Sequence, residues 1–217
     1  GAARPKGCPH EEGTGGELDS GPLRELWASA LDAWIGPPGA GPEEVVYMRP
    51  AGAGPAGAAG AARSAPWPAW VSSARALAEA SDGLFGLTAA NPMGEGRPHA
   101  ENARQNSLLR QDIEQLCLET GGVWWHSFGF ATDWHEKGFT VAAPREKVID
   151  LARKYKQGAV YRFVAHIGSE DCMARLSPPF VRQTVPVLVS DTEADVLVEP
   201  TRRPDFEQAD PHWEPPF

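Results

Sequence analysis

Cysteine is scarce. Cys8, Cys117 and Cys172 are three widely separated residues, which excludes both a paired zinc-type spacing and an even-numbered disulfide framework. Cations are outnumbered as well: Lys and Arg total 20 against 29 Asp and Glu, a net charge of -9. The summed field therefore repels phosphate backbones and anionic lipid surfaces, no basic patch offsets it, and nucleic acid is not an expected partner. No apolar run approaches the roughly 20 residues a spanning helix requires, so no membrane span is expected and peripheral attachment stays open. The phosphate-cradling G-x-x-x-x-G-K-S loop and the serine and cysteine nucleophile motifs are missing too. Neither a cofactor nor a metal is expected.

Glycine and proline, by contrast, are plentiful, at 23 and 21 residues, and they cluster. Residues 1–21 hold hardly an apolar side chain and read as a flexible N-terminal arm. Residues 22–83 read as a helical and strand extension. In "PLRELWASALDAWIG", Pro22 fits a first helical turn, Leu23, Leu26, Trp27, Leu31 and Trp34 form one broad apolar stripe, and Gly36 closes the helix. "EEVVYMRP" follows as a strand, then the low-complexity "AGAGPAGAAGAARSAPWP" as a loop, then a helix near 69–80.

Residues 84–185 have the texture of a compact domain. "LFGLTAAN" reads as a strand, and Pro98 opens a helix to about Glu119 with Leu109, Ile113, Leu116 and Cys117 on one face. Cys117 is expected to be a small core residue. "VWWHSFGFA" and "GFTVAA" read as strands joined by a hairpin connection "TDWHEK". Pro144 begins another helix, ended by Gly158, before the strand "AVYRFVAHI". The order β-α-β-β-α-β predicts an α+β fold, the ferredoxin-like split βαβ sandwich, with one sheet face left uncovered. "MARLSPPF" and "VPVLVSD...DVLVEP" are expected to add edge strands. Residues 186–217 read as a C-terminal docking arm, because Phe206, Trp213 and Phe217 are apolar surface to leave in water.

Four short motifs recur in order within Leu84–Phe163: Thr88-Ala89-Ala90-Asn91-Pro92, then Glu101-Asn102 with Asn106 and Leu109, then Trp134-His135-Glu136, then Gln157-Gly158-Ala159. In these the chain resembles a family known as domain of unknown function 3293. It departs from the family pattern where a serine commonly follows the glutamate, since Lys137-Gly138 stands there. The resemblance implies the domain and no particular reaction.

Asn102, Asn106, Leu109 and Ile113 follow i, i+4, i+7 and i+11, so both amides join the core-facing stripe at the start of the helix, where Asn91 ends the preceding strand. Buried amides need partners, and the backbone of the Met93–Arg97 loop is the nearest source. The alternative is a small anion at the helix N-terminus, helped by Arg97 and Arg104. Trp134-His135-Glu136 reads as a loop offering Glu136 and His135 as acid-base candidates. His99, His126, His135 and His166 match no metal-ligand spacing. Phe139 and Tyr161 stand where an RNA-recognition sheet would stack bases.

Two functional classes follow. The first is a noncatalytic accessory subunit that docks on a larger protein assembly through Trp27, Trp34, Phe206, Trp213 and Phe217. Its Ala/Gly/Pro-rich composition and a first residue other than methionine favour a plastid or mitochondrion, in a photosynthetic or respiratory assembly, over the cytoplasm. The second is a small-molecule enzyme or binder built on Asn91, Asn102, Asn106, Glu136 and Gln157. An RNA-binding module is a further alternative.

Overall fold

The computed structural model describes residues 25, 27–51, 68–130, 135–166, 180–189 and 194–201. They include eight strands: β1 (Leu31–Ile35), β2 (Val45–Pro50), β3 (Leu84–Leu87), β4 (Val123–Phe130), β5 (His135–Ala142), β6 (Ala159–Ala165), β7 (Phe180–Pro186) and β8 (Ala194–Thr201). The helices are α1 (Trp70–Ala80), α2 (His99–Thr120) and α3 (Arg145–Lys154). All the strand pairs are antiparallel and run β1-β2-β8-β7-β6-β3-β5-β4, and β4 returns to β1 to close a barrel. Closure leaves no strand with an unpaired edge.

The ferredoxin-like α+β sandwich is therefore corrected to an eight-stranded antiparallel barrel with a few helices. From Leu84 to Ala165 the elements run β3-α2-β4-β5-α3-β6, and their strands lie side by side as β6-β3-β5-β4. In an open sandwich β4 and β6 would end the sheet. Here β4 continues onto β1, with Leu31 opposite Phe130 and Ile35 opposite His126, and β6 continues onto β7 from Ala159–Pro186 to Ala165–Phe180. Element order is the same in both folds, and only pairing beyond the segment separates them. The face that a sandwich would leave for a partner is the inside of the barrel.

Two further expectations change. Residues 27–29 are helical, but Leu31–Ile35 is a strand. Asp32 apart, both faces of that strand are apolar and covered, which lets a helical stripe be drawn through it; over five residues periodicity cannot decide. Of the expected edge strands, "DVLVEP" is a barrel stave, within β8 "ADVLVEPT"; the other stave, β7 "FVRQTVP", falls between the expected segments "MARLSPPF" and "VPVLVSD" and overlaps them only at its ends, while residues 167–179 lie outside those described. The barrel thus takes β1 and β2 from the expected extension and β8 from the expected docking arm.

Inside, Trp34 holds edge-on contacts with Trp70, Trp125, Phe163 and Phe180 at ring centroid distances of 5.1–5.7 Å. Met48, Leu84 and Val198 join this cluster, and α1 packs Trp70, Val71, Ala74 and Ala78 onto it, so one half of the interior is filled. Outside, α2 and α3 cover Phe85, Leu87, Phe139 and Val141 with Leu109, Ile113, Leu116, Cys117, Val148 and Ala152. Cys117 is a core thiol, and burial pushes its pKa up. Among the described residues no helix is long and apolar enough to cross a membrane.

Candidate functional site

The other half of the interior is built from smaller and more polar residues. Gly86 of β3 lies between Thr140 of β5 and Tyr161 of β6, and Gly129 of β4 lies between Asp32 of β1 and Glu136 of β5. Opposed residues of antiparallel strands share a face, so each glycine leaves a gap between two polar side chains. Gly138 adds a third. The result is a cavity of about 100 Å³ lined by these residues together with Trp27, Trp34, Ser127 and Gln157. Eight strands leave an interior wide enough either for side chains to fill or for one small ligand, and glycine at these positions makes room.

The rim is set by the asparagines. Asn91 sits in the left-handed region, φ 42° and ψ 59°, which asparagine tolerates better than most residues. Its Oδ1 accepts from the Arg97 N–H at 3.0 Å and from Asn102 Nδ2 at 2.9 Å, and its Nδ2 donates to Glu136 Oε1 at 2.7 Å. Asn102 Oδ1 accepts from the Asn91 N–H at 3.0 Å. One helical turn on, Asn106 Oδ1 accepts from the Ala89 N–H at 2.7 Å and Nδ2 donates to the Lys137 carbonyl at 2.8 Å. Gln157, 7% exposed, donates to the Ala90 carbonyl at 3.2 Å and lines the cavity. The amides of Asn91, Asn102 and Asn106 tie the β3-to-α2 loop to the start of β5, and what they position is Glu136.

Glu136 is therefore not an exposed loop acid. It lies on β5 and faces the cavity. Burial pushes its carboxyl above the usual glutamate range, against the opposing pull of the Asn91 hydrogen bond. Across Gly129, Asp32 is 3% exposed and paired with Arg182, which is 1% exposed. The guanidinium also donates to the carbonyls of Ala30, Trp27 and Ala28 at 2.7, 2.9 and 3.0 Å and lies over the Tyr161 ring at 4.5 Å. Burial opposes charge on Arg182, yet Asp32 holds its pKa up. Burial raises the Tyr161 phenol pKa, and its hydroxyl donates to the Trp27 carbonyl at 3.1 Å. Arg182 and Tyr161 so hold residues 27–30 beside the cavity, with the Trp27 indole against Gly158.

Other expected residues fall elsewhere. Arg97 and Arg104 are exposed and line no part of the cavity; the Arg97 guanidinium pairs with Glu95 at 2.9 Å. Trp34 is fully buried within the barrel. Phe206, Trp213, Phe217 and Trp134 lie outside the described residues. His135 begins β5 opposite Phe130. His126 is on the outer surface against Trp124 and Phe139, its pKa lowered by burial and then by Arg110. Among the described residues no cluster of three or more His, Cys, Asp or Glu could hold a metal ion. Phe139 and Tyr161 face opposite sides of the sheet, Phe139 beneath the outer helices and Tyr161 inward, and form no common stacking surface. Asp32 and Arg182 were not singled out by motif. Their signal is a lone charge inside an apolar strand, "LDAWI" and "FVRQTVP", which a buried strand admits only when the charge is paired.

Residues 87–160 match the family model of a protein of unknown function, DUF3293. The resemblance carried by the four motifs is thus shown over that segment. The DUF3293 segment supplies Thr88, Asn91, Asn102, Asn106, Glu136, Thr140 and Gln157, while Trp27, Asp32, Tyr161 and Arg182 come from outside it. No curated protein and no solved structure matches the chain.

Proposed function

We propose that the barrel mouth binds a small molecule, with Glu136 as the group that contacts it and can exchange a proton with it. The observation that carries this is a half-buried carboxyl with a raised pKa, held by a fixed amide and facing a cavity that three inward glycines keep open. Perturbed acids inside concave, mostly apolar pockets are where ligand and proton chemistry concentrate. Thr140 adds to it, since its hydroxyl is fully buried, lines the cavity and has no protein partner. Burying such a group without a partner costs about 1–3 kcal/mol, a cost a bound molecule would remove.

The docking role expected of the terminal arms concerns residues outside those described, and we keep it as a separate proposal. The cavity is tested by filling it. A side chain at Gly86 would meet Phe163 and Tyr161 at 3.5–4.0 Å, ordinary contact, so Gly86→Ala is expected to fold normally while narrowing the cavity. Protein-observed NMR against a fragment collection should find binders that shift the Trp34 indole N–H, and Gly86→Ala should weaken them severalfold. Finding no binder, or binders indifferent to Gly86→Ala, would contradict the assignment.

A further inference from the structure

We propose that the ligand of the barrel mouth is a small organic cation, an ammonium or a planar amidinium, received by the Glu136 carboxylate. The proposal depends on the barrel mouth being a ligand site. It starts from the polarity of the amide chain. A backbone N–H can only donate, so the Arg97 N–H fixes Asn91 Oδ1 on its own side, and Asn102 Nδ2 reinforces that choice. Asn102 is fixed in turn by the Asn91 N–H at 3.0 Å and the Arg97 carbonyl at 3.3 Å. Asn91 Nδ2 therefore points at Glu136 Oε1, and turning the amide over would set donor against donor. The fixed donor on one carboxyl oxygen favours the ionised form and leaves the other oxygen as an acceptor. Its complement is a donor, and a charged one is strongest.

The rest of the cavity agrees. Among the described residues no Lys, Arg or His lines it, and Arg182, outside the lining, has its terminal nitrogens occupied by Asp32 and three carbonyls, only its buried Nε being unpaired. An anion would find no counter-charge there. With Asp32 neutralised by Arg182, Glu136 is left as the acid facing the space. The walls include Trp27, Trp34 and Phe163, aromatic rings of the kind that attract organic cations. The unpartnered Thr140 hydroxyl offers a second oxygen to an N–H. That hydroxyl, buried and facing the cavity, points to a ligand independently of the acid.

The test is a matched series titrated into the whole chain and read at the Trp34 indole N–H by NMR: benzylammonium and benzamidinium, the neutral benzyl alcohol and benzamide, and benzoate. The cations should bind about tenfold or more tighter than their neutral counterparts, and benzoate should not bind. Glu136→Gln should erase the preference for cations. Equal or tighter binding of the neutral members would overturn the cation proposal while leaving the ligand site standing. A preference that survives Glu136→Gln, or cation shifts confined to surface amides, would overturn it as well. Silence from all five would remove both. If Glu136→Gln fails to fold, the wild-type series alone decides.

Discussion

A glutamate that gains burial on folding but no cation beside it is held at a cost, and the cost has a sign. The folded pKa of Glu136 lies above the ordinary glutamate value because of burial, so between the unfolded and folded values the native protein binds the proton more tightly and stability falls as pH rises. Below both values the acid is neutral in either state and the penalty vanishes. Glu136→Gln keeps an oxygen for Asn91 Nδ2 and removes the charge. The variant is expected to be more stable than wild type at neutral pH, with the advantage disappearing as pH is lowered through the glutamate range. Thermal melts of both proteins across pH would check this; an advantage that grows on acidification would contradict it. Stabilisation by loss of a polar group is the usual sign of a residue kept for function. At this scale much was legible in the sequence. The i, i+4 spacing of Asn102 and Asn106 suggested the Met93–Arg97 loop as partner for both amides; Asn102 reaches the Arg97 carbonyl, whereas Asn106 bonds the Ala89 N–H and the Lys137 carbonyl instead. Glu136 was legible as an acid but not as a barrel residue, because its strand begins at His135, within a stretch that reads as a connection.

Among the elements, the pairing of β1 with β7 through Asp32 and Arg182 spans 150 residues of chain. Removing one member strands the other as an unpaired buried charge, which costs about 3–5 kcal/mol, whereas removing both for apolar groups of similar volume is often neutral. Arg182→Met is accordingly expected to lose about that much stability in urea denaturation. Combined with Asp32→Leu, it should recover a substantial part. Because Arg182 also takes the carbonyls of Trp27, Ala28 and Ala30, the double variant should still loosen the 27–30 segment, seen as faster amide exchange there. Sequence periodicity missed β1 and β7 for different reasons. β1 faces a packed interior on one side and an outer cluster on the other and has no polar stripe to announce its period, while β7 carries Arg182, Gln183 and Thr184 in succession, polar on both faces, so no alternation shows; a five- or seven-residue stretch is too short to reveal either otherwise. The helices, longer and half exposed, were legible: α1 and α2 begin and end within a residue or so of the expected 69–80 and Pro98–Glu119, and α3 begins directly after Pro144 but ends at Lys154, four residues before Gly158.

For the whole molecule, the decisive feature is closure, and closure was not written in any one segment. The strand order β6-β3-β5-β4 could have ended in two open edges. What seals it is β1-β2-β8-β7, drawn from both ends of the described chain, with Val198 of β8 delivered into the Trp34 cluster. A chain cut after Pro186 would leave β2 and β7 each with one unpaired edge and is expected to lose its cooperative thermal transition; retention of that transition would show the barrel to be less unitary than described. Closure also gives Glu136 its setting, since it brings Asp32 and Trp27, from far upstream, to the cavity that the DUF3293 segment begins. The central claim, that this enclosed carboxyl exists to meet a ligand, is tested most directly by following the Glu136 side-chain carboxyl with ¹³C NMR during a pH titration of the intact chain, alone and with benzylammonium. The titration should place its pKa above the ordinary glutamate value in the empty protein and bring it down when the cation is present. An ordinary pKa that does not respond to the cation would contradict the account.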